Sequence, residues 1–168
     1  MKRCIGLFLL LAGTLASAQV RSYSDNASKT FVVGLDSYFY GASGSLDFVL
    51  GGHEMHATLS DGTVSVNGTV LSQGPADTVI GIHDFTEDRE PELVVARRLP
   101  EGVSAMVYAR QEGSWTVIGK ASAPDGREIR IFRQVLSVRS GEVLRSWTWH
   151  GRQFDYKASD GSPEPNLP

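Results

Sequence analysis

Asp61-Gly62 and Asn67-Gly68 each fall between short runs of β-forming residues. That arrangement leaves the surrounding chain little choice but an antiparallel meander. A two-residue hairpin turn needs positive φ at both central positions, and Asp-Gly and Asn-Gly supply it at low steric cost. His53 to Ser60, Thr63 to Val66 and the stretch on to Ser72 are therefore predicted as consecutive hairpin-linked strands.

The same reading extends along most of the chain. Phe31-Val32-Val33, Ser37 to Tyr40 and Leu46 to Leu50 are rich in β-formers, with Gly41-Ala42-Ser43-Gly44 and Gly51-Gly52 as the intervening breaks. Gly74-Pro75 marks another break, and Thr78 to Ile82 follows it. Leu93 to Ala96 is continuously apolar, the pattern of a strand covered on both faces. Gly102 to Ala109 and Trp115 to Ile118 read as a hairpin, and Glu142 to His150 with Gln153 to Lys157 as another. Residues 127–138 carry two patterns. Ile129, Phe132 and Leu136 fit a helical face, whereas Ile129, Ile131, Val135 and Val138 favour a strand. Branching at Cβ restricts helical rotamers, so strand is the reading taken. Glu112 to Ala121 also resembles His150 to Ala158: a glycine turn, an aromatic residue, a short strand and a closing Lys-Ala. The expected fold is all-β and antiparallel, with about ten short strands.

The ends are of a different kind. Met1-Lys2-Arg3, the apolar run Ile5 to Leu11 and Ala16-Ser17-Ala18 have the order of a secretory signal, so residues 1–18 are expected to be removed near Ala18. This predicts a secreted or periplasmic protein. The apolar run is too short to serve as a membrane span. Cys4 is the only cysteine and would leave with the signal, so no disulfide is expected to support the fold. Residues 19–30 read as a flexible lead-in, 31–157 as one β domain, and 158–168 as a Pro- and Gly-containing disordered tail. The net charge is −3, and loss of Lys2 and Arg3 makes it two charges more negative. An acidic chain is poorly suited to nucleic acid, where cations must replace the counterions of phosphate.

The densest chemistry lies in Asp84-Phe85-Thr86-Glu87-Asp88-Arg89-Glu90-Pro91-Glu92, which runs straight into Leu93-Val94-Val95-Ala96. Oxygen-bearing residues recur at alternate positions, which is how a short loop wraps a hard cation. Asp84, Thr86, Asp88, the Glu90 carbonyl and Glu92 are the candidate ligands. Five acids against one arginine repel one another, so a cation, or Arg97, Arg98 or Arg110, is expected to relieve them. The segment resembles the calcium loop of FG-GAP and VCBS-type repeats of secreted β-propeller proteins, where the loop is likewise followed by Pro, an acid, Leu and an apolar strand. The resemblance is specific over residues 78–97 and loose as far as 158. It implies blade-like units, with a sandwich or partial propeller as the shape, and a calcium cofactor. Thr86 stands where Asp or Asn is usual and Arg89 where glycine is usual; a side chain at a positive-φ turn costs roughly 1 kcal/mol. The resemblance therefore implies weak or vestigial calcium binding.

Other motifs are weaker. His53-Glu54-Met55-His56 is one residue short of the zinc-protease signature, and in a strand its two histidines point to opposite faces. Gly41-Ala42-Ser43-Gly44-Ser45 lacks the second glycine of a nucleophile elbow. Trp147 and Trp149 share one strand face and Trp115 is a candidate third, so these three are the candidate ligand surface. The arginines at 127, 130, 133, 139, 145 and 152 are expected on solvated faces, where a local basic surface would suit an anionic glycan. The function expected first is a secreted, non-enzymatic binding or structural module for an unknown protein or glycan. A small metal-dependent hydrolase using Asp84, Asp88 and one of His53, His56 or His83 is the second class. An envelope or assembly component is the third, and it would display an apolar patch or an open sheet edge.

Overall fold

The computed structural model describes residues 30–165. The expected signal peptide and nearly all of the lead-in lie outside the described residues. Those residues form fourteen strands: β1 (Val32–Val33), β2 (Ser37–Gly41), β3 (Ser43–Leu50), β4 (His53–Ser60), β5 (Thr63–Val66), β6 (Thr69–Ser72) and β7 (Thr78–His83), then β8 (Glu92–Leu99), β9 (Gly102–Gln111), β10 (Ser114–Pro124), β11 (Ile129–Phe132), β12 (Val135–Ser140), β13 (Val143–Trp149) and β14 (Phe154–Ala158).

The strands make three sheets, none closed into a barrel. Each sheet is built on one four-stranded meander: β3 to β6, β7 to β10, and β11 to β14. The remaining two strands extend the first strand of a meander. β2 pairs antiparallel with β7, and β1 pairs in parallel with β11. The chain thus visits the β11–β14 sheet, the central sheet and the β3–β6 sheet in turn, then returns in the reverse order. The repeat noticed in the sequence coincides with the last strand, β10 or β14, of two meanders.

Burial explains the layering. Every residue of β7 is buried, as are Glu92 to Arg97 of β8. Val79, Val94 and Ala96 join one core with Ile129, Leu136 and Trp147. Their neighbours Ile80, Ile82, Leu93 and Val95 join another with Leu46, Phe48, Leu59 and Val64. Alternate residues of a strand point to opposite faces, so two apolar sets within one strand mean a sheet covered on both sides. The flanking strands β3 and β11 alternate buried and exposed, as half-covered strands should.

The predicted turns form at the expected places. Asp61 and Gly62 have φ of 46° and 79°, and Asn67 and Gly68 have 47° and 81°. Two local readings change, at the Gly41–Gly44 break and in the tail, while the strand reading of residues 127–138 holds. The Gly41–Gly44 break shrinks to Ala42, because Gly44 is part of β3; a Cβ there would lie 2.1 Å from the Phe39 ring, so glycine clears space for an aromatic side chain. Residues 127–138 are extended, as a hairpin turning at Arg133, whose φ is 51°. The tail read as unable to pack is placed against the sheets as far as residue 165. There Trp147 Nε1 donates to Glu164 Oε1 at 2.6 Å, Arg145 donates to Ser162 Oγ at 3.1 Å, and Ser122 Oγ donates to the Pro165 carbonyl at 3.3 Å.

One buried cation binds two layers. Arg97, 6% exposed, donates to the carbonyls of Gly62 and Pro75 and to the hydroxyls of Thr78 and Ser72, at 2.8–3.2 Å. Burial lowers its pKa from the ordinary arginine value. Its partners are neutral oxygens, and a planar guanidinium with five donors can satisfy several of them together.

Candidate functional site

The acidic segment joins β7 to β8 at one end of the central sheet. Phe85 is fully buried and anchors it, standing edge-on to His83 at 4.7 Å and to Phe154 at 5.3 Å between ring centroids. The carboxylates on either side turn back on the loop itself. Asp84 accepts from the N–H of Asp88 at 3.2 Å and of Arg89 at 2.9 Å. Asp88 accepts from the Glu90 N–H at 2.8 Å. Glu92 accepts from the N–H groups of Phe85 and Thr86 at 2.7 and 3.3 Å and from the Thr86 hydroxyl at 3.1 Å. These bonds hold Glu87 and Arg89 at φ of 57° and 75°, a conformation both side chains would otherwise disfavour.

The loop is also a joint between layers. Glu90 accepts from the Gly51 N–H in the β3–β4 turn. On the opposite side, His83 Nε2 lies 2.8 Å from the Arg133 carbonyl in the β11–β12 turn. Its Nδ1 lies 3.3 Å from an Asp36 carboxylate oxygen, too poorly aimed for a hydrogen bond. Burial pushes the Glu92 carboxyl above its ordinary pKa, and the bonds from Phe85 and Thr86 work against that shift.

The expected relief of acidic repulsion therefore comes from backbone N–H groups. Arg97 is engaged with neutral oxygens of its own, Arg98 pairs with Asp77 at 3.2 Å, and Arg110 donates to the Gly113 carbonyl. The calcium reading meets the same geometry. Asp84, Thr86, Asp88, Glu90 and Glu92 are brought together in one loop, but the Asp84, Asp88 and Glu92 carboxylates face separate donors, and the Thr86 hydroxyl is itself one of the donors to Glu92. Among the described residues no three of His, Cys, Asp and Glu are grouped to hold a metal ion. A hard cation needs six to eight oxygens converging on one point, whereas here the carboxylates are turned to donors of the loop itself.

The histidines are not brought to this carboxylate set as a group. His56 lies in β4, with Nδ1 2.5 Å from Asp47 on the exposed face of the β3–β6 sheet. His53 is at the start of the same strand and is exposed. His83 alone is near the set: it is the cross-strand partner of Glu92, and its ring faces the β11–β14 sheet, on the opposite side of the central layer from His53 and His56.

The three tryptophans separate as well. Trp147 and Trp149 do share a face, but it is the inner one: they are 2% and 8% exposed. Trp147 packs on Tyr156 and Trp149 on Phe154, each at 5.3 Å. Trp115 lies in the other core, edge-on to Phe48 at 6.4 Å, and borders a groove.

That groove, of about 560 Å³, is the feature the sequence reading missed. It lies between β6 and β10, the outer strands of two different sheets. Trp115, Tyr108, Leu71 and Met55 line it, together with Val70 and Val117, which are 54% and 39% exposed. Arg110 and Asn67 supply polar groups. The available signal was the apolar residue at the middle of each outer strand, but which strands end a sheet depends on pairings between distant segments. Comparisons with protein-family models, with curated proteins and with solved structures return no match for the chain.

Proposed function

We propose that this chain is an exported, non-enzymatic binding module whose working surface is the β6–β10 groove, and that its partner is an extended segment of another protein. One observation carries the reading. Two strands, each hydrogen-bonded on one side only, flank a single cavity and each presents an exposed valine to it. Soluble sheets normally blunt such edges with charge, proline or a cover, because unpaired N–H and C=O groups recruit another strand. An added strand would satisfy those groups and bury Val70 and Val117 together. A sugar matches the edge less well, since it lacks the peptide repeat, and Trp115 is half-covered by its packing on Phe48. An open edge and apolar residues are also the marks expected of an assembly component, so the partner reading and the assembly reading coincide here.

The three stacked four-stranded meanders support the resemblance to propeller blades of FG-GAP and VCBS type. Export rests on the order of basic, apolar and small residues over 1–18. The test is a selection of short random peptides against the full chain, followed by hydrogen exchange. Selected peptides should protect amides of β10 or β6 and should lose binding to Val117→Lys. Peptides that bind Val117→Lys as well as the parent, with no protection of either strand, would reject this use of the groove.

A further inference from the structure

A second concave surface, of about 800 Å³, lies on the outer side of the β11–β14 sheet. Arg127, Arg130 and Arg139 line it, with Asp125, Glu128 and Leu144. The register accounts for the clustering. Arg130 is paired with Ser137, and Arg139, two residues further along β12, therefore shares its face of the sheet. Arg127 enters from the connection that leads into β11.

The three guanidiniums are not equivalent. Arg130 is paired with Glu128 at 2.6 Å. Arg127 and Arg139 have neither an ion pair nor a side-chain hydrogen bond among the described residues, and both are exposed. Two unpaired cations thus line one cavity of a chain whose net charge is −3. The frame around them is well tied. The Asp125 N–H donates to the Glu101 carbonyl at 2.7 Å, Ser140 Oγ donates to the Pro124 carbonyl, and Ser137 Oγ donates to the Arg130 carbonyl at 3.3 Å.

We propose that this concavity is a binding site for the oxyanions of an acidic glycan, with Arg127 and Arg139 as the recognising groups. A guanidinium matches a sulfate or carboxylate with two parallel N–H donors. Among the described residues no aromatic ring on which a base would stack lines the cavity, and the negative net charge disfavours a long phosphate polymer, so a glycan is favoured over nucleic acid. Leu144 offers an apolar contact for the carbon face of a sugar ring. Glu128 competes for Arg130 and holds that third cation out of use.

The test is calorimetric titration of the full chain at low salt with three probes: a sulfated oligosaccharide, a polyuronate oligomer and a single-stranded oligonucleotide of matched charge. The sulfated and uronate arms decide which oxyanion the site prefers. Arg127→Ala/Arg139→Ala should weaken binding of the preferred glycan by about tenfold or more, as loss of charge-assisted hydrogen bonds would. Lys120→Ala/Arg152→Ala removes the same charge elsewhere and should stay within about twofold, the scale of non-specific attraction. Glu128→Gln should tighten binding by freeing Arg130. Equal losses in the two double variants, no binding of either glycan, or stronger binding of the oligonucleotide would each overturn the proposal. The thermal midpoint of each variant checks that the fold is kept.

Discussion

Both the acidic segment at residues 84–92 and the arginine-lined concavity on the β11–β14 sheet concentrate charge, yet they do opposite things with it. In the acidic segment Asp84, Asp88, Glu90 and Glu92 each accept from at least one N–H group, and Phe85 plugs the loop into the core. In the concavity Arg127 and Arg139 have no side-chain partner among the described residues. Charge density alone therefore says little about binding. What distinguishes a surface ready for a ligand from a structural joint is whether its polar groups are already satisfied, since a satisfied group must give up a bond before it can make another.

The largest effect should come from Phe85→Ala. A fully buried ring that fastens the loop between two sheets should cost about 4 kcal/mol when truncated. Arg139→Ala, on the exposed sheet face, should stay within about 0.5 kcal/mol. Denaturant unfolding of the two variants beside the parent measures both. A small loss for Phe85→Ala would show that the loop is not a joint and would restore it as a candidate ligand surface.

Asp84→Ala should cost less, about 2 kcal/mol, because it strips the acceptor from the Asp88 and Arg89 N–H groups while leaving the core intact. It should also release the positive φ at Arg89, which that carboxylate holds. The readout is the unfolding midpoint together with faster amide exchange at residues 88–89. An unchanged midpoint would mean that the loop's capping bonds are exchanged for water without loss.

Glu92 allows a pH test. Burial raises its pKa in the folded protein, so the folded state holds the proton more tightly than the unfolded chain. The stability this group contributes is fully present below the unfolded carboxylate pKa and is lost as pH rises through the folded value. Glu92→Gln keeps an oxygen for the Phe85 and Thr86 N–H groups and offers an amide to the Thr86 hydroxyl. The expected result is a variant at least as stable as the parent at pH 7, with the parent regaining ground as pH falls into the carboxylate range. A parent that loses ground to the variant on acidification would mean that the bonds to Glu92 outweigh its burial.

How far this division can be read from residues alone depends on the range of the interaction. Asp61-Gly62 and Asn67-Gly68 announce their turns because positive φ is a local property. The continuous apolar run of β8 announces a strand covered on both faces because side-chain alternation is local too. The three-layer stack is less legible: it requires β2 on β7 and β1 on β11, pairings between segments far apart in the chain. The same limit hid the concave surfaces. Trp147 and Trp149 lie on one strand face, as their spacing says, but only the packing of β13 shows that the face is inward. Glycine misled in the other direction: at Gly44 it makes room for Phe39 and does not end a strand. The acids of residues 84–92 were plain, while the N–H groups that satisfy them are invisible without the backbone path.

The smallest expected effect is that of calcium. A ligand that binds only the folded state raises stability by RT ln(1 + [L]/Kd), so an ion held with a Kd of about 10 µM would add about 2.7 kcal/mol at about 1 mM. The loop would first have to turn Asp84 away from two N–H groups and Glu92 away from three donors, and the donors to Glu92 would then be left unpaired in a buried or partly buried site. That cost opposes the gain from coordination, and Arg89 adds a like charge beside the ion. Millimolar calcium should therefore leave the thermal midpoint of the parent unchanged relative to chelator, and should leave Asp84→Asn/Asp88→Asn unchanged as well. A rise in the parent that the double variant lacks would mean that the loop reorganises around the ion. The two charged regions would then be alike after all, each kept for a ligand of opposite sign.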